Sequence, residues 1–426
     1  MEQILDLVEK PIFDESISSY EYCEFMPTTG QRLNQPSEIY IEVFGSDEFF
    51  HPHSSFILFE GAIMKPGKDG PEAISSTSEV SFCNLGVLHL FRLIQYSISG
   101  NIIESIYQPG IASLMKKLIK NTSDDTGLLS MYEKDTSATI DIATNDGFNQ
   151  RYIYTTKSPN PPGSFSIIIY LRDLFGYFED FSKVTTGLRQ TLKLVRTNDM
   201  NGLMKNAKET TDFQVIFDKI SLFQPIVKVN DEYRYKLYDV IKSKQRLEMC
   251  FNEHSLESIQ LPQQKDYTWS LGVKSNRPQY LIFAFQVDRD GAQTKNISLF
   301  DHIKIRNYYV MLNERRYPTK DFSISFEQMK IAQPYKDLLR FYNNYYGVDS
   351  TVANLNLSPL EYSLFFPLFV VDLTKQSEKI TDPCLNLTLK LFFDETIGKK
   401  TNISCLIISQ KKYYLQGDGQ KFTLVY

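Results

Sequence analysis

Arg277-Pro-Gln-Tyr-Leu-Ile-Phe-Ala-Phe-Gln286, then a polar segment, then Asn296-Ile-Ser-Leu-Phe-Asp-His302, is the stretch whose reading decides the fold. Leu281–Phe285 is an unbroken apolar run of strand length, which suits a strand covered on both faces. Pro278 can open that strand, where a missing amide costs little. Downstream, Ile303 and Ile305 alternate with Lys304 and Arg306, as in a strand with one buried face. Leu312-Asn313-Glu-Arg-Arg-Tyr317-Pro318 then reads as a rigid turn that sets the next strand. Upstream, Trp269 falls in another short strand.

Period-2 alternation recurs on either side. In Glu38–Phe44, Ile39, Ile41 and Val43 oppose Glu38, Tyr40 and Glu42, and Leu387, Leu389 and Leu391 alternate with Thr388 and Lys390. Ser166–Leu171 reads as a strand buried on both faces. Pro66–Pro71, Ser158–Gly163 and Asp288–Gly291 read as turn-rich loops. Many short strands joined in this way indicate sandwiches or barrels. Helical spacing is confined to Leu85–Ile98, Ile111–Ile119, Glu232–Lys244 and Pro334–Tyr346. The fold class is therefore all-β with a few peripheral helices. At 426 residues the chain exceeds one ordinary core. We divide it into an N-terminal arm (1–34), a first sandwich (35–226) and a second (227–426), with the boundary in Phe223–Asp231.

Composition narrows the function. Thirty Phe and 26 Tyr stand against one Trp, an aromatic excess that suits half-buried sheets and protein contacts. A net charge of -5 supplies no global field for polyanions. The most basic stretch, Arg189, Lys193, Arg196, Lys205 and Lys208, reads as a solvated helix face. Cys23, Cys83, Cys250, Cys384 and Cys405 form no CxxC pair and read as buried thiols in a reducing compartment. The acidic start MEQILDLVEKPIFDE carries no signal-like core, and no apolar run approaches the roughly 20 residues of a membrane span. The expectation is an intracellular protein without direct membrane contact, so its Asn-x-Ser/Thr triplets are chance matches.

Candidate chemistry centres on His51-Pro52-His53 with Glu60. An HxH pair on a strand would direct both imidazoles to one face, where a metal could sit. The spacing resembles the first cupin motif but places Ile57 and Leu58 where that family has its carboxylate. A second histidine motif is missing, and Pro52 favours an exposed turn. His89, packed in Val87–Phe91, and the separate His254 and His302 read as structural. Without a nucleophile elbow, phosphate loop or HExxH motif, the chain is expected to be no enzyme and to need no cofactor or small-molecule substrate.

The order and spacing of residues 260–318 resemble the second jelly roll of double jelly-roll major capsid proteins. That lineage includes Polinton/Maverick elements, adinto-type viruses and nucleocytoplasmic large DNA viruses. The resemblance rests on Trp269, Arg277, Pro278, Phe285, Gln286, Phe300, Asp301, Asn313, Tyr317 and Pro318 as structural motif residues. It implies two consecutive jelly rolls and a homotrimer whose six rolls form a pseudo-hexagonal capsomer in an icosahedral shell. It also implies a virion location, a single jelly-roll penton or minor capsid partner, and weak or indirect contact with nucleic acid. The readings weighed against it are a cupin-like metalloprotein using His51 and His53 and a domesticated jelly-roll binding module.

Overall fold

The computed structural model describes residues 16–28, 32–44, 48–120, 127–272, 277–347, 355, 357–376, 386–417 and 422–425. Its strands pair antiparallel throughout and, apart from the separate two-stranded pair Val80–Phe82 with Leu203–Lys205, fall into two successive sandwiches. In the first, Ile17–Phe25, Gln214–Val229, Phe56–Pro66 and Pro71–Ala73 lie side by side; Phe49–Phe50 joins the second of these and Ser164–Tyr170 the third. The opposing sheet runs Glu38–Val43, Gln190–Arg196, Phe91–Ile98, Asn101–Tyr107. Phe91 meets Phe59 and Phe217 of the larger sheet with ring centroids 5.8 and 6.2 Å apart, which makes the pair of sheets one core.

The second sandwich repeats the plan. One sheet runs Arg246–Gln260, Thr401–Gly417, Arg277–Val287, Phe369–Asp372, with Phe422–Val425 added at the Thr401–Gly417 strand. The other runs Asp266–Leu271, Leu387–Phe393, Ile305–Leu312, Arg315–Tyr317. Arg277–Val287 is central, and all but its two end residues are buried. Phe283 and Phe285 point inward to Tyr308 and Phe393, at 5.1 and 5.8 Å between centroids. Tyr280, on the opposite face, is covered by Phe341 of the Ala332–Tyr346 helix at 4.8 Å. The helix thus explains why this strand lacks alternation: both of its faces are dry.

Glu38–Val43 and Leu387–Phe393 bury alternate residues as their patterns require. Helices Pro109–Lys120, Asp231–Lys242 and Ala332–Tyr346 cover three of the four helical readings. The fourth is corrected. Leu85–Ile98 forms one helical turn, Gly86–His89, and then the strand Phe91–Ile98 between two neighbours. Its leucines fit either period, and pairing on both sides decides for the strand.

Ser164–Tyr170 is also corrected: among the described residues it pairs on one side only, and it buries Phe165, Ile167 and Ile169 while Ser166 is exposed. Ile303 and Lys304 occupy a turn with φ of 41 and 52°, so the strand starts at Ile305. Within the segment read as an arm, Ile17–Phe25 is an edge strand paired with Leu222–Val229, and residues 1–15 and 29–31 lie outside the described residues. Cys250 is exposed, contrary to the reading of buried thiols; Cys83 and Cys405 are buried, and Cys384 lies outside the described residues.

Candidate functional site

The motif residues build from the Arg277–Val287 strand outward. Arg277 donates to Gln410 Oε1 (3.2 Å), and Pro278 sits at a register shift against Thr401–Gly417, where the ladder tolerates a missing amide. Gln286 Nε2 donates to the carbonyls of Ile297 and Leu299, at 2.7 and 3.1 Å. Asp301 accepts two bonds from Arg289 (2.8 and 2.7 Å) and one from the Val287 amide (2.8 Å). Phe300, next to Asp301 in the chain, is buried. These contacts fold residues 288–302 back across the strand end. Trp269 is buried opposite Leu389, and Asn313, with φ 52°, exchanges bonds with Asn386 at the turn before Tyr317 and Pro318.

That returning loop reaches the first sandwich. Gln293, 1% exposed, donates to the Phe213 carbonyl (2.6 Å) and accepts from the Phe213 amide (2.8 Å), while its own carbonyl accepts from Lys205 N–H (2.9 Å). Gly291 N–H donates to Asn201 Oδ1 (2.8 Å). Asn296 Nδ2 donates to Asp135 Oδ2 (3.2 Å), and Ser298 Oγ accepts from the Asn84 amide (2.9 Å). Behind them, Arg151 and Asp135 form an ion pair at 2.8 Å with both side chains fully enclosed. Arg151 also donates to Asn84 Oδ1 (2.8 Å) and to the carbonyls of Phe82 and Glu133. The charge is affordable here because nearly every donor is matched.

A second buried group joins the sandwiches elsewhere. Glu104 accepts from the amides of Gly176 (3.0 Å), Tyr177 (3.0 Å) and His254 (2.7 Å). Lys116 pairs with Glu179 (3.1 Å) and lies 3.3 Å from His254 Nδ1, whose Nε2 lies 3.0 Å from Tyr345 Oη. Burial raises Glu104 to about 8 against the pull of its three amide donors. Burial would also raise Glu179, but Lys116, Lys120 and His254 hold it at about 2. Burial and Lys116 depress His254 to about 3, and burial depresses His89 to about 4.

The signs of these shifts fix a pH profile. The two imidazoles contribute fully above their unfolded value near 6.5, and that stability is lost as pH falls toward 4. Glu104 contributes fully below its unfolded value near 4.5 and loses that contribution as pH rises to about 8. Below 6.5 the lowered imidazoles, His51 and His302 among them, outweigh Glu104; above it Glu104 dominates. Unfolding free energy should therefore peak near pH 6.5 and fall by about 1 kcal/mol per pH unit on either side. Urea denaturation from pH 5 to 8.5 checks this; a monotonic profile would contradict it.

His51 and His53 do not sit on a strand. They flank Pro52 at a single 3-10 turn, Pro52–Ser54. His51 Nδ1 bonds with Tyr20 Oη (2.8 Å), and His53 Nδ1 bonds with the Phe178 carbonyl (2.8 Å). Glu60 accepts from Ser166 Oγ (3.3 Å) on the neighbouring strand. No cluster of three or more metal-ligating side chains occurs among the described residues.

The basic stretch is corrected as well. Arg189, Lys193 and Arg196 flank or occupy the strand Gln190–Arg196 and pair with Glu42, Glu38 and Asp199, while Lys205 and Lys208 pair with Asp212 and Glu79. Sequence reasoning missed Asn84, Glu104, Lys116, Asp135, Arg151 and Gln293 and took His254 for isolated. The available signal was charge inside apolar runs, such as Lys116 within Ile111–Ile119.

A family model described as a double jelly roll-like domain matches residues 80–412. No curated protein matches the sequence. Among solved structures, one from the Sputnik virophage is similar with a TM-score of 0.62 at 11% identity, covering 100% of this chain and 92% of that one. The Faustovirus major capsid protein is similar at 0.57 and 8% identity, over 97% and 92% of the two chains. The mavirus major capsid protein is similar at 0.53 and 12%, over 99% and 93%. At such identities the likeness is one of fold, and it spans both sandwiches.

Proposed function

This chain belongs to the double jelly roll-like domain family, and from that membership we propose that it is a major capsid protein of a DNA virus or Polinton-like element. The observation that carries the reading is the end-to-end match of both sandwiches to the Faustovirus and mavirus major capsid proteins. The chemistry agrees with a building role and not an enzymatic one. Buried Glu104 and Asp135 accept bonds from His254 N–H and Asn296 of the second sandwich, and so act as structural ties.

In this reading residues 35–226 and 227–426 are the two jelly rolls, and three chains form a pseudo-hexagonal capsomer that tiles an icosahedral virion shell. The homotrimer would bury apolar surface that a lone subunit leaves in water. The edge strand Ile17–Phe25 carries such surface: Ile17, Tyr20 and Tyr22 are 50, 42 and 48% exposed. An exposed edge strand bearing large apolar side chains calls for a partner. A single jelly-roll penton or minor protein would complete the lattice, with nucleic acid contact weak or indirect because the basic stretch is already paired.

Light scattering and negative-stain microscopy of the purified chain test this. A homotrimer is expected, and Tyr20→Asp with Tyr22→Asp should shift it to monomer; the pair also gives up the Tyr20–His51 bond and the Tyr22–Phe56 ring contact, so a modestly lower melting temperature is expected with it. A chain that stays monomeric at high concentration and forms neither trimers nor shells would overturn the proposal.

A further inference from the structure

A groove runs along the junction of the two sandwiches, where the free edge of Arg246–Gln260 diverges from the Asn101–Tyr107 edge. Two cavities, of about 300 and 700 Å³, share Arg92, Gln108, Ser258 and Ile259 in their linings and so adjoin at this edge. We propose that this groove takes an extended peptide segment of another polypeptide, added as a strand to the edge at Leu256–Gln260.

The backbone carries the argument. Among the described residues, Arg246–Gln260 pairs with Thr401–Gly417 on one side only. Leu261 N–H donates to Thr401 O (2.8 Å), so odd-numbered amides here face that partner. Even-numbered ones face away, and two of them are already capped by the first sandwich. Asn252 N–H donates to Asp180 (2.7 Å) and His254 N–H to Glu104 (2.7 Å). By the same alternation the N–H and C=O groups of Leu256, Ser258 and Gln260 face away from Thr401–Gly417, on the side where the groove opens. There the carboxylate caps stop.

Such a row repeats at the spacing of a β ladder, about 6.6 Å for alternate residues, and a polypeptide matches it group for group. The walls suit the same occupant. Gln108, Gln260 and Asn402 each both donate and accept, and the charges are mixed, with Arg92 against Glu257 and Asp290. A polyphosphate would need a cationic lining. The lining also includes His89, 8% exposed, whose Nε2 has no hydrogen-bond partner among the described residues. The inference needs only the fold and stands whether or not the capsid reading does.

Two measurements on the purified full-length chain test it. Amide hydrogen exchange should find Leu256, Ser258 and Gln260 unprotected relative to Glu257 and Ile259. A displayed library of capped eight-residue peptides, selected against the chain, should yield binders that protect those three amides. Methylating alternate peptide nitrogens should weaken binding at least tenfold. Ser258→Pro, which deletes an outward amide and no ladder bond, should do the same. Ser258→Ala, which keeps the amide and loses only the Oγ bonds to Gln108 Oε1 (2.9 Å) and with Ser404 Oγ (2.8 Å), should bind normally.

The proposal is overturned if the three amides are already protected in the purified protein, because a second copy or the chain itself then fills the groove. It is also overturned if no peptide is enriched, or if N-methylated peptides bind the unaltered protein as tightly as their parents. That last arm holds even if Ser258→Pro fails to fold.

Discussion

Arg151→Ala is expected to lower the unfolding free energy by about 3–5 kcal/mol, the cost of leaving one member of a buried ion pair unpaired. Arg151 and Asp135 have fully enclosed side chains. Removing the guanidinium strips Asp135 of its cation and leaves the Phe82 and Glu133 carbonyls and Asn84 Oδ1 short of a donor. Asp135 also accepts from Asn296 and Asn84, so the damage reaches the loop that ties the second sandwich to the first. The double variant Arg151→Met with Asp135→Leu removes both charges and should recover part of the loss, since apolar replacement of a whole pair is often close to neutral. Urea denaturation of the three proteins checks this. A loss below about 1 kcal/mol for Arg151→Ala would refute the role.

Gly176→Ala should be of similar size, about 3–5 kcal/mol, through backbone collision and lost amide bonds. A methyl group at Gly176 would stand 1.6 Å from the Asn252 carbonyl oxygen and 2.7 Å from its carbon. Neither is the end of a flexible side chain, so the Gly176–Asp180 helix or the Arg246–Gln260 strand must move. Either shift breaks the set of amides from Gly176, Tyr177 and His254 that converge on Glu104. Gly398→Ala is the matched control, because its methyl group would meet only Thr401 Oγ1 at 3.9 Å. It should change stability by under about 0.5 kcal/mol. Thermal melts of the pair separate a seam that is closely packed from one that yields.

Much of the architecture was legible because side-chain alternation is a local consequence of a one-sided strand. Glu38–Val43 and Leu387–Phe393 announced themselves in that way. Phe91–Ile98 did not, since its leucines and isoleucines satisfy either period and only its two neighbouring strands decide between them. The motif residues Gln286, Asn296, Phe300 and Asp301 could be picked out as a group. Their purpose could not, because Asp135 and Asn84 are 161 and 214 positions from Asn296 and Ser298.

From sequence alone came the strand-rich composition, the dry central strand at Leu281–Phe285 and the resemblance of residues 260–318 to a second jelly roll. Each follows from neighbours within a few residues, where the period of the backbone governs which side chains share a face. Tertiary structure decided which polar groups tie the sandwiches together, that Ile17–Phe25 is an edge strand, and that His51 and His53 bond to Tyr20 and a carbonyl. Those outcomes depend on groups brought together from distant parts of the chain. Burial then sets the cost of leaving any of them unmatched, and no local pattern records it.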